Sequence, residues 1–425
     1  MTNYKKILNI ALPAMAENFL QMLMGMVDSY LVASLGLVAI SGVSVAGNII
    51  SIYQAIFIAL GAAVSSLISK SLGEGDRDNL AYHTSEAIKL TLILSVFLGL
   101  LSLVFGRQIL AWLGTKPAVA NAGGLYLALI GGMILLLGLM TTLGSLIRAT
   151  SNPRMPMYIS FFSNLLNVLF SSLAIFIFHM GIVGVALGTI LARLVGVLIL
   201  WKELSLPLVP WSWRLDWDLL RLSLPAAGER LMMRAGDVVI IAIIVKFGTD
   251  AVAGNAIGEV LTQFNYMPSF GVATATVMLV AHAVGQADFQ TVRKLTKQTY
   301  WLSLGLMLAV ALLIFALGQP LTHLYTKDSS AVTASLSVIL FSLLGVPMTA
   351  GTVIYTAVWQ GLGNAKLPFY ATTVGMWLIR IVAGYFMGVT LGLGLPGVWT
   401  ATLLDNAFRW IFLQIIYQRK MRSQT

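Results

Sequence analysis

The 425-residue chain has no cysteine, which excludes disulfides, thiolate metal sites and cysteine nucleophiles. It is nearly as poor in charge: Asp, Glu, Lys and Arg make up 10% of the residues, against roughly a quarter in soluble globular domains. A surface facing water on all sides cannot be built from that stock. The four histidines, His83, His179, His282 and His323, lie far apart near expected helix ends, so no metal site is expected. HExxH, GxSxG and Walker A patterns are missing, which argues against a metalloprotease, a serine hydrolase and an ATP-driven pump, and no cofactor or enzyme activity is expected. Gly392, Gly394 and Gly397 satisfy GxGxxG, but they fall in an inter-helix turn with no strand before them and are not read as a nucleotide site.

What the chain has is apolar length. Hydrophobic residues make up 58% of it, in long runs from Ile7 to Tyr417. About twelve spans of roughly 20 residues are accommodated. Segments such as 90–105 and 302–317 are apolar on every face, so they are helices rather than the alternating strands of a membrane barrel. The Ala14-Met15-Ala16 triplet precedes the main apolar run, so the first helix is expected to be retained rather than cleaved. The expected fold is an all-α polytopic membrane protein with twelve transmembrane helices in two pseudo-symmetric six-helix lobes, surrounded by membrane lipids.

The two lobes are read from an internal repeat. The run from Leu12, LPAMAENFLQMLMGMVDSYLVASLG, aligns with LPAAGERLMMRAGDVVIIAIIVKFG from Leu224, an offset of 212 residues. At that offset Gly73 and Asp76 meet Gly285 and Asp288, and Asn152, Pro156 and Tyr158 meet Asn364, Pro368 and Tyr370. One extra residue then brings Gly181 and Gly184 onto Gly394 and Gly397. First-half spans are expected near 7–34, 40–69, 84–105, 120–147, 155–178 and 182–201. The expected division is an N-terminal lobe over 1–201, a cytoplasmic linker over 202–218 and a C-terminal lobe over 219–425. The linker contains Pro207 and Pro210, with Trp211, Trp213 and Trp217 suited to a membrane interface.

Six spans per lobe put both termini on one side, and positive charge chooses that side. Lys5, Lys6, Lys70, Arg77, Arg148, Arg154, Lys202, Arg214, Arg221, Arg293, Lys294, Lys297, Lys366, Arg419, Lys420 and Arg422 fall with the termini, whereas only Arg107, Lys116, Lys246 and Lys327 fall opposite. Both termini are therefore expected in the cytoplasm. The net charge of +10 records this topology and does not indicate a nucleic-acid partner.

Ionisable residues inside apolar spans are expected to face a partner or a cavity, because a charge at mid-bilayer costs about 2.5–3.5 kcal/mol. Glu17, Asp28, Glu229, Asp237, Glu259 and Asp405 form the acidic set, and Arg193, Arg230, Arg234, Arg380 and Arg409 the basic set. Arg234 and Asp237 are spaced to pair on one helix. Asp28 has no cation within two turns, and Gln21 lies seven residues back on its face. Desolvation disfavours its charged form, so it can hold a proton near neutral pH, as a proton-coupled carrier requires. Glu17 and Glu229 each follow a proline by four residues, at repeat-equivalent positions, which suggests a shared architectural role.

MVDSYLVASLG, SLGEGD, IRATSNPRMPMY and the duplicated halves resemble the multidrug and toxic compound extrusion (MATE) family, and the LPxxxE openings with a lone first-helix carboxylate resemble its bacterial DinF-like branch. The resemblance implies two six-helix lobes around a central cleft, in a bacterial or archaeal cytoplasmic membrane, exporting cationic amphipathic compounds in exchange for protons or sodium. The family's first-lobe positions correspond to Asp28, Gln21, Asn167 and Thr189, while Ser171 stands where relatives carry an aspartate. A missing carboxylate weakens a sodium site, so proton coupling through Asp28 is expected, with Gln21, Asn167, Ser171 and Thr189 as substrate or cation site. Glu17, Glu229, Asp237, Glu259 and Arg380 are secondary candidates, and the chain is expected to act as a monomer. The alternative is a flippase for lipid-linked anionic precursors, with the arginines as its anion-binding lining.

Overall fold

A computed structural model describes residues 3–150, 152–210 and 212–424, so Trp211 lies outside the described residues. In chain order its helices are α1 (Asn3–Ala33), α2 (Leu37–Glu74), α3 (Arg77–Trp112), α4 (Pro117–Tyr126), α5 (Ile134–Thr150), α6 (Met155–Phe176), α7 (Gly181–Glu203), α8 (Trp217–Val245), α9 (Thr249–Gly285), α10 (Phe289–Ala316), α11 (Gly318–His323), α12 (Ser329–Leu344), α13 (Val346–Gly361), α14 (Lys366–Thr373), α15 (Val382–Tyr385) and α16 (Gly394–Arg422). Wider π-helical turns follow α4 at Leu127–Gly131 and flank α15 at Val374–Ile381 and Phe386–Thr390.

Among the described residues, eight helical stretches are long and apolar enough to cross a bilayer, and two bent pairs, α4 with α5 and α12 with α13, bring the number to ten if each pair is one span. The bends, 44° and 56°, fall at repeat-equivalent places. The two further helices that the expected twelve spans require are α8 and α16. Each has 29 residues, ample length for a span. They are less apolar because they carry the ionisable residues Glu229, Arg230, Arg234, Asp237, Asp405 and Arg409.

Two compact units emerge, and they do not follow chain order at the N-terminus. One comprises Ala16–Ser223, and the other Met1–Met15 with Leu224–Thr425. In the first, Phe57 of α2 is fully buried among residues including Tyr53, Leu127, Ile130 and Ile134. In the second, Ile7 and Ala11 pack with Val272 and Ala275 of α9. Gly271 makes room there, since a Cβ on it would lie 2.2 Å from Met15 Cγ and 2.7 Å from the Ala11 carbonyl oxygen. Small residues of this kind let membrane helices approach closely.

Polar side chains fasten the connector to the first unit. Lys89, 4% exposed, donates from Nζ to Glu86 Oε1 at 2.5 Å and to the carbonyls of Ser212 and Arg214 at 2.9 and 2.6 Å. The Val209 amide donates to Ser85 Oγ at 2.8 Å, and His83 Nδ1 lies 2.5 Å from Asp216 Oδ2. Asp216 also accepts from the Asp218 and Leu219 amides at the start of α8, satisfying donors that a helix N-terminus leaves open. Burial opposes ionisation of Asp216, but the His83 ring and the two amides outweigh it and hold the carboxyl below the usual aspartate range.

The sign of the resulting pH dependence follows. A carboxyl depressed in the folded state stabilises the attachment fully above the ordinary aspartate value of about 3.9, and less as pH falls through the lower folded-state value. We expect the connector to resist limited proteolysis at neutral pH and to become cleavable only in strong acid. Asp216→Ala should make it cleavable at neutral pH, with cap loss alone costing about 1 kcal/mol. Unchanged cleavage of that variant would show that Asp216 does not hold the connector.

Candidate functional site

In the first unit the site grows from the contact of α6 with α7. Gly188 allows the close approach: a Cβ there would lie 2.5 Å from Ser171 Oγ and 2.7 Å from its backbone nitrogen. Two hydroxyls consequently reach Asn167 Oδ1, Ser171 Oγ from 3.0 Å and Thr189 Oγ1 from 3.2 Å. The Thr189 proton is shared with the Val185 carbonyl at 3.0 Å. With its oxygen occupied by hydroxyl donors, the Asn167 amide directs its nitrogen outward, where Nδ2 donates to Asp28 Oδ1 and Oδ2 at 3.2 and 3.3 Å. Asn167, Ser171 and Thr189 are at most 5% exposed, and Asp28 is partly buried.

Four of the expected residues, Asp28, Asn167, Ser171 and Thr189, are thus one hydrogen-bonded chain. Gln21 is exposed, and no hydrogen bond among the described residues joins it to that chain. Two unanticipated neighbours complete the surroundings. The Arg193 charge acts on Asp28, and the Tyr126 phenol, 8% exposed, lies within reach of both. Arg193 follows Thr189 by four residues, so the same face of α7 presents both, a spacing that would have been visible in the sequence.

Glu17 pairs with Arg148, and Ser160 Oγ donates to it at 3.4 Å. Glu229 accepts from Thr372 Oγ1 at 3.1 Å. Ser160 and Thr372 are themselves 212 residues apart, so duplication has kept a carboxylate-to-hydroxyl bond between equivalent helices. In the second unit Asp237 has Arg380 as its ion-pair partner, with Nη1 3.6 Å from Oδ1. Arg234, the partner expected from spacing, acts on Asp237 only at longer range. The charges of Asp237 and Arg380 both act on Glu259, whose side chain is exposed.

The deepest ion pair in the second unit is Asp405 with Arg409, one turn apart on α16. Nε and Nη2 of Arg409 donate to Oδ1 and Oδ2 at 2.8 and 2.9 Å, and Asn406 Oδ1 takes a further bond at 3.0 Å. Asp405 is fully buried and Arg409 is 4% exposed. Gly375 admits the pair, since a Cβ there would meet Asp405 Oδ1 at 2.2 Å. We expect Asp405→Ala to destabilise the protein by about 3–5 kcal/mol, because it strands a buried guanidinium, whereas the double change Asp405→Leu with Arg409→Met recovers most of that loss. Thermal unfolding in detergent checks this, and a single variant as stable as wild type would contradict it.

Comparison with known proteins agrees with the repeat. The MatE family profile matches residues 13–173 and again 225–386, segments that start 212 residues apart and end 213 apart. A probable multidrug resistance protein NorM of Thermotoga maritima is 28% identical over 418 residues, covering 95% of this chain and 90% of that protein. An uncharacterized transporter, YisQ, of Bacillus subtilis is 22% identical over 421 residues, covering 96% and 92%. A MATE crystal structure in a bent conformation superposes with a TM-score of 0.92 at 19% identity, covering 99% of this chain and 96% of that one. With two family matches that together span most of its length, the chain belongs to the MatE family of transporters.

Proposed function

We propose that this protein is a multidrug exporter that expels cationic amphipathic compounds by alternating access, in exchange for protons carried on Asp28. The observation that carries the reading is the hydrogen-bonded chain from Asp28 through Asn167 to Ser171 and Thr189. It gives the carboxylate a polar counterpart whose orientation does not change when a proton arrives. Relatives named as probable multidrug resistance proteins support the cargo class.

The same geometry favours protons over sodium. A sodium ion needs several oxygen ligands, and here the Asn167 oxygen is occupied by hydroxyl donors while its N–H groups face Asp28. In the outward-facing state, protonation of Asp28 removes its attraction for a cationic drug, and the drug leaves. Facing inward, the carboxyl loses the proton to the cytoplasm and again favours a cation. A proton drawn inward carries one charge, worth about 2.3 kcal/mol per 100 mV of membrane potential.

A lipid precursor that carries only negative charge is less well served, because it has no positive group to meet the carboxylates that stand beside the arginines: Asp28 near Arg193, Glu229 near Arg230, Asp237 near Arg380 and Asp405 on Arg409. We place the chain in a bacterial or archaeal cytoplasmic membrane with both termini in the cytoplasm, on the distribution of Lys and Arg, and read it as a monomer.

The test is export of a fluorescent lipophilic cation from proteoliposomes under an imposed pH gradient. Asp28→Asn keeps shape and hydrogen-bonding capacity but cannot exchange a proton. It should insert normally and lower proton-driven transport by at least about tenfold, within the usual span of coupling energies. A sodium gradient at equal pH should not drive the wild type. Wild-type transport by Asp28→Asn, or robust sodium-driven export, would contradict the reading.

A further inference from the structure

The repeat gives the Asp28 site a counterpart in the second unit, and the counterpart has changed polarity. Equivalent residues lie 212 apart as far as Ser160 and Thr372, and 213 apart from Gly181 and Gly394 onward. The extra residue falls in the stretch where the helix widens into π turns at Val374–Ile381 and Phe386–Thr390. A π turn is how a helix absorbs one added residue, and such turns concentrate at functional sites. With the insertion taken up by the first of them, Arg380 becomes the equivalent of Asn167, and Thr402 the equivalent of Thr189. The hydrogen bonds agree: Thr189 serves Asn167 at 3.2 Å, and Thr402 Oγ1 accepts from Arg380 Nε at 3.1 Å. The carboxylate is Asp237, about one turn before Ile240, the residue that duplication aligns with Asp28.

Arg380 is incompletely used. Nη1 donates only to the weak acceptor Met376 Sδ at 3.7 Å and lies 3.6 Å from Asp237 Oδ1, beyond hydrogen-bonding length for oxygen, and no hydrogen bond among the described residues takes up Nη2. Arg409, in the same unit, shows what saturation looks like, with both edges of a carboxylate within 2.9 Å. A guanidinium that is 12% exposed and lacks a fork-on-fork partner retains donors that fit a planar anion. Around it Asp237, with 42% of its side chain exposed, and the exposed Glu259 and Arg234 complete a cluster of two negative and two positive charges. The Tyr266 phenol lies within range of Arg380, Glu259 and Asp237. A cluster without net charge attracts a lone ion weakly, but a ligand with separated charges of both signs strongly.

We propose that Arg380 and Thr402 form a second ligand subsite in the C-terminal lobe, which binds the carboxylate of a zwitterionic amphipathic cargo while Asp237 and Glu259 face its cationic end. The proposal rests on the exporter reading for the nature of the cargo. It also gives the diverged half of the duplication a role of its own. The N-terminal copy handles charge exchange with the proton, and the C-terminal copy distinguishes cargo by its anionic group.

A matched pair of probes tests this on the purified full-length protein. Rhodamine B carries a free carboxylate beside its delocalised cation, and its ethyl ester is the same dye without the negative charge. Arg380→Gln should weaken rhodamine B by at least about tenfold, as loss of one partner of a desolvated charge pair does, and leave the ester unchanged or tighter, because Asp237 is freed. Arg380→Lys, which keeps charge but loses the fork, should fall between. Equal weakening of both dyes would indicate a structural role and overturn the proposal, as would unchanged rhodamine B binding or a wild type that binds the ester alone. Asp28→Asn separates the two readings: the exporter reading requires it to weaken the ester, whatever Arg380→Gln does to rhodamine B.

Discussion

An ionised group inside hydrocarbon has no water to solvate it, so it must be neutralised by a proton or answered by a neighbouring charge or dipole. That constraint organises the interior of both units. Where a group is answered completely, as Asp405 is by Arg409, the result is a fixed strut. Where the answer is partial, as with Asp28 on the amide of Asn167, we propose that the group is left able to exchange a proton. A transporter needs both kinds: struts to hold spans that are too polar to be stable alone, and one group left able to change its charge.

Duplication supplied the scaffold, and the two halves then diverged. The halves keep a carboxylate bonded to a hydroxyl, Glu17 to Ser160 and Glu229 to Thr372. They keep the capping aspartates Asp76 and Asp288 at the starts of α3 and α10. They also keep a left-handed residue before each cap, Gly75 in one half and Ala287 in the other. What they do not keep is the charge pattern at mid-helix. Ile240 stands where Asp28 does in the other half, and with the register one residue longer Arg380 falls at the place of Asn167.

The helical architecture was legible because bilayer thickness fixes span length and because the repeat reports each span twice. Asp28 stood out for a related reason, since a carboxylate isolated among Leu, Met and Val needs a polar partner, and Asn167 provides one. Its partners were not derivable from spacing around Asp28: Asn167, Ser171 and Thr189 came from resemblance, Tyr126 carried no signal, and Arg193 could be placed only through its four-residue spacing from Thr189. Sequence proximity misled at Asp237, where a neighbouring helix provides Arg380 at closer range than Arg234. The buried Glu86 and Lys89 went unread because the lysine is completed by backbone carbonyls of the connector, which carry no side-chain signature. Gln21 is exposed and makes no hydrogen bond to that chain among the described residues, although it lies seven residues from Asp28, because hydrogen bonding demands more than a shared helix face.

The central claim is that a cationic drug and a proton compete for Asp28, which makes their binding free energies reciprocally linked. The direct measurement is the affinity of tetraphenylphosphonium, a cation that does not itself titrate, for the purified protein by calorimetry over a pH series. The account predicts affinity that falls as pH falls, with heats that depend on the buffer's ionisation enthalpy because a proton is released as the cation binds. It predicts that Asp28→Asn loses both effects. Affinity independent of pH and buffer in the wild type, or the same pH dependence in Asp28→Asn, would contradict it.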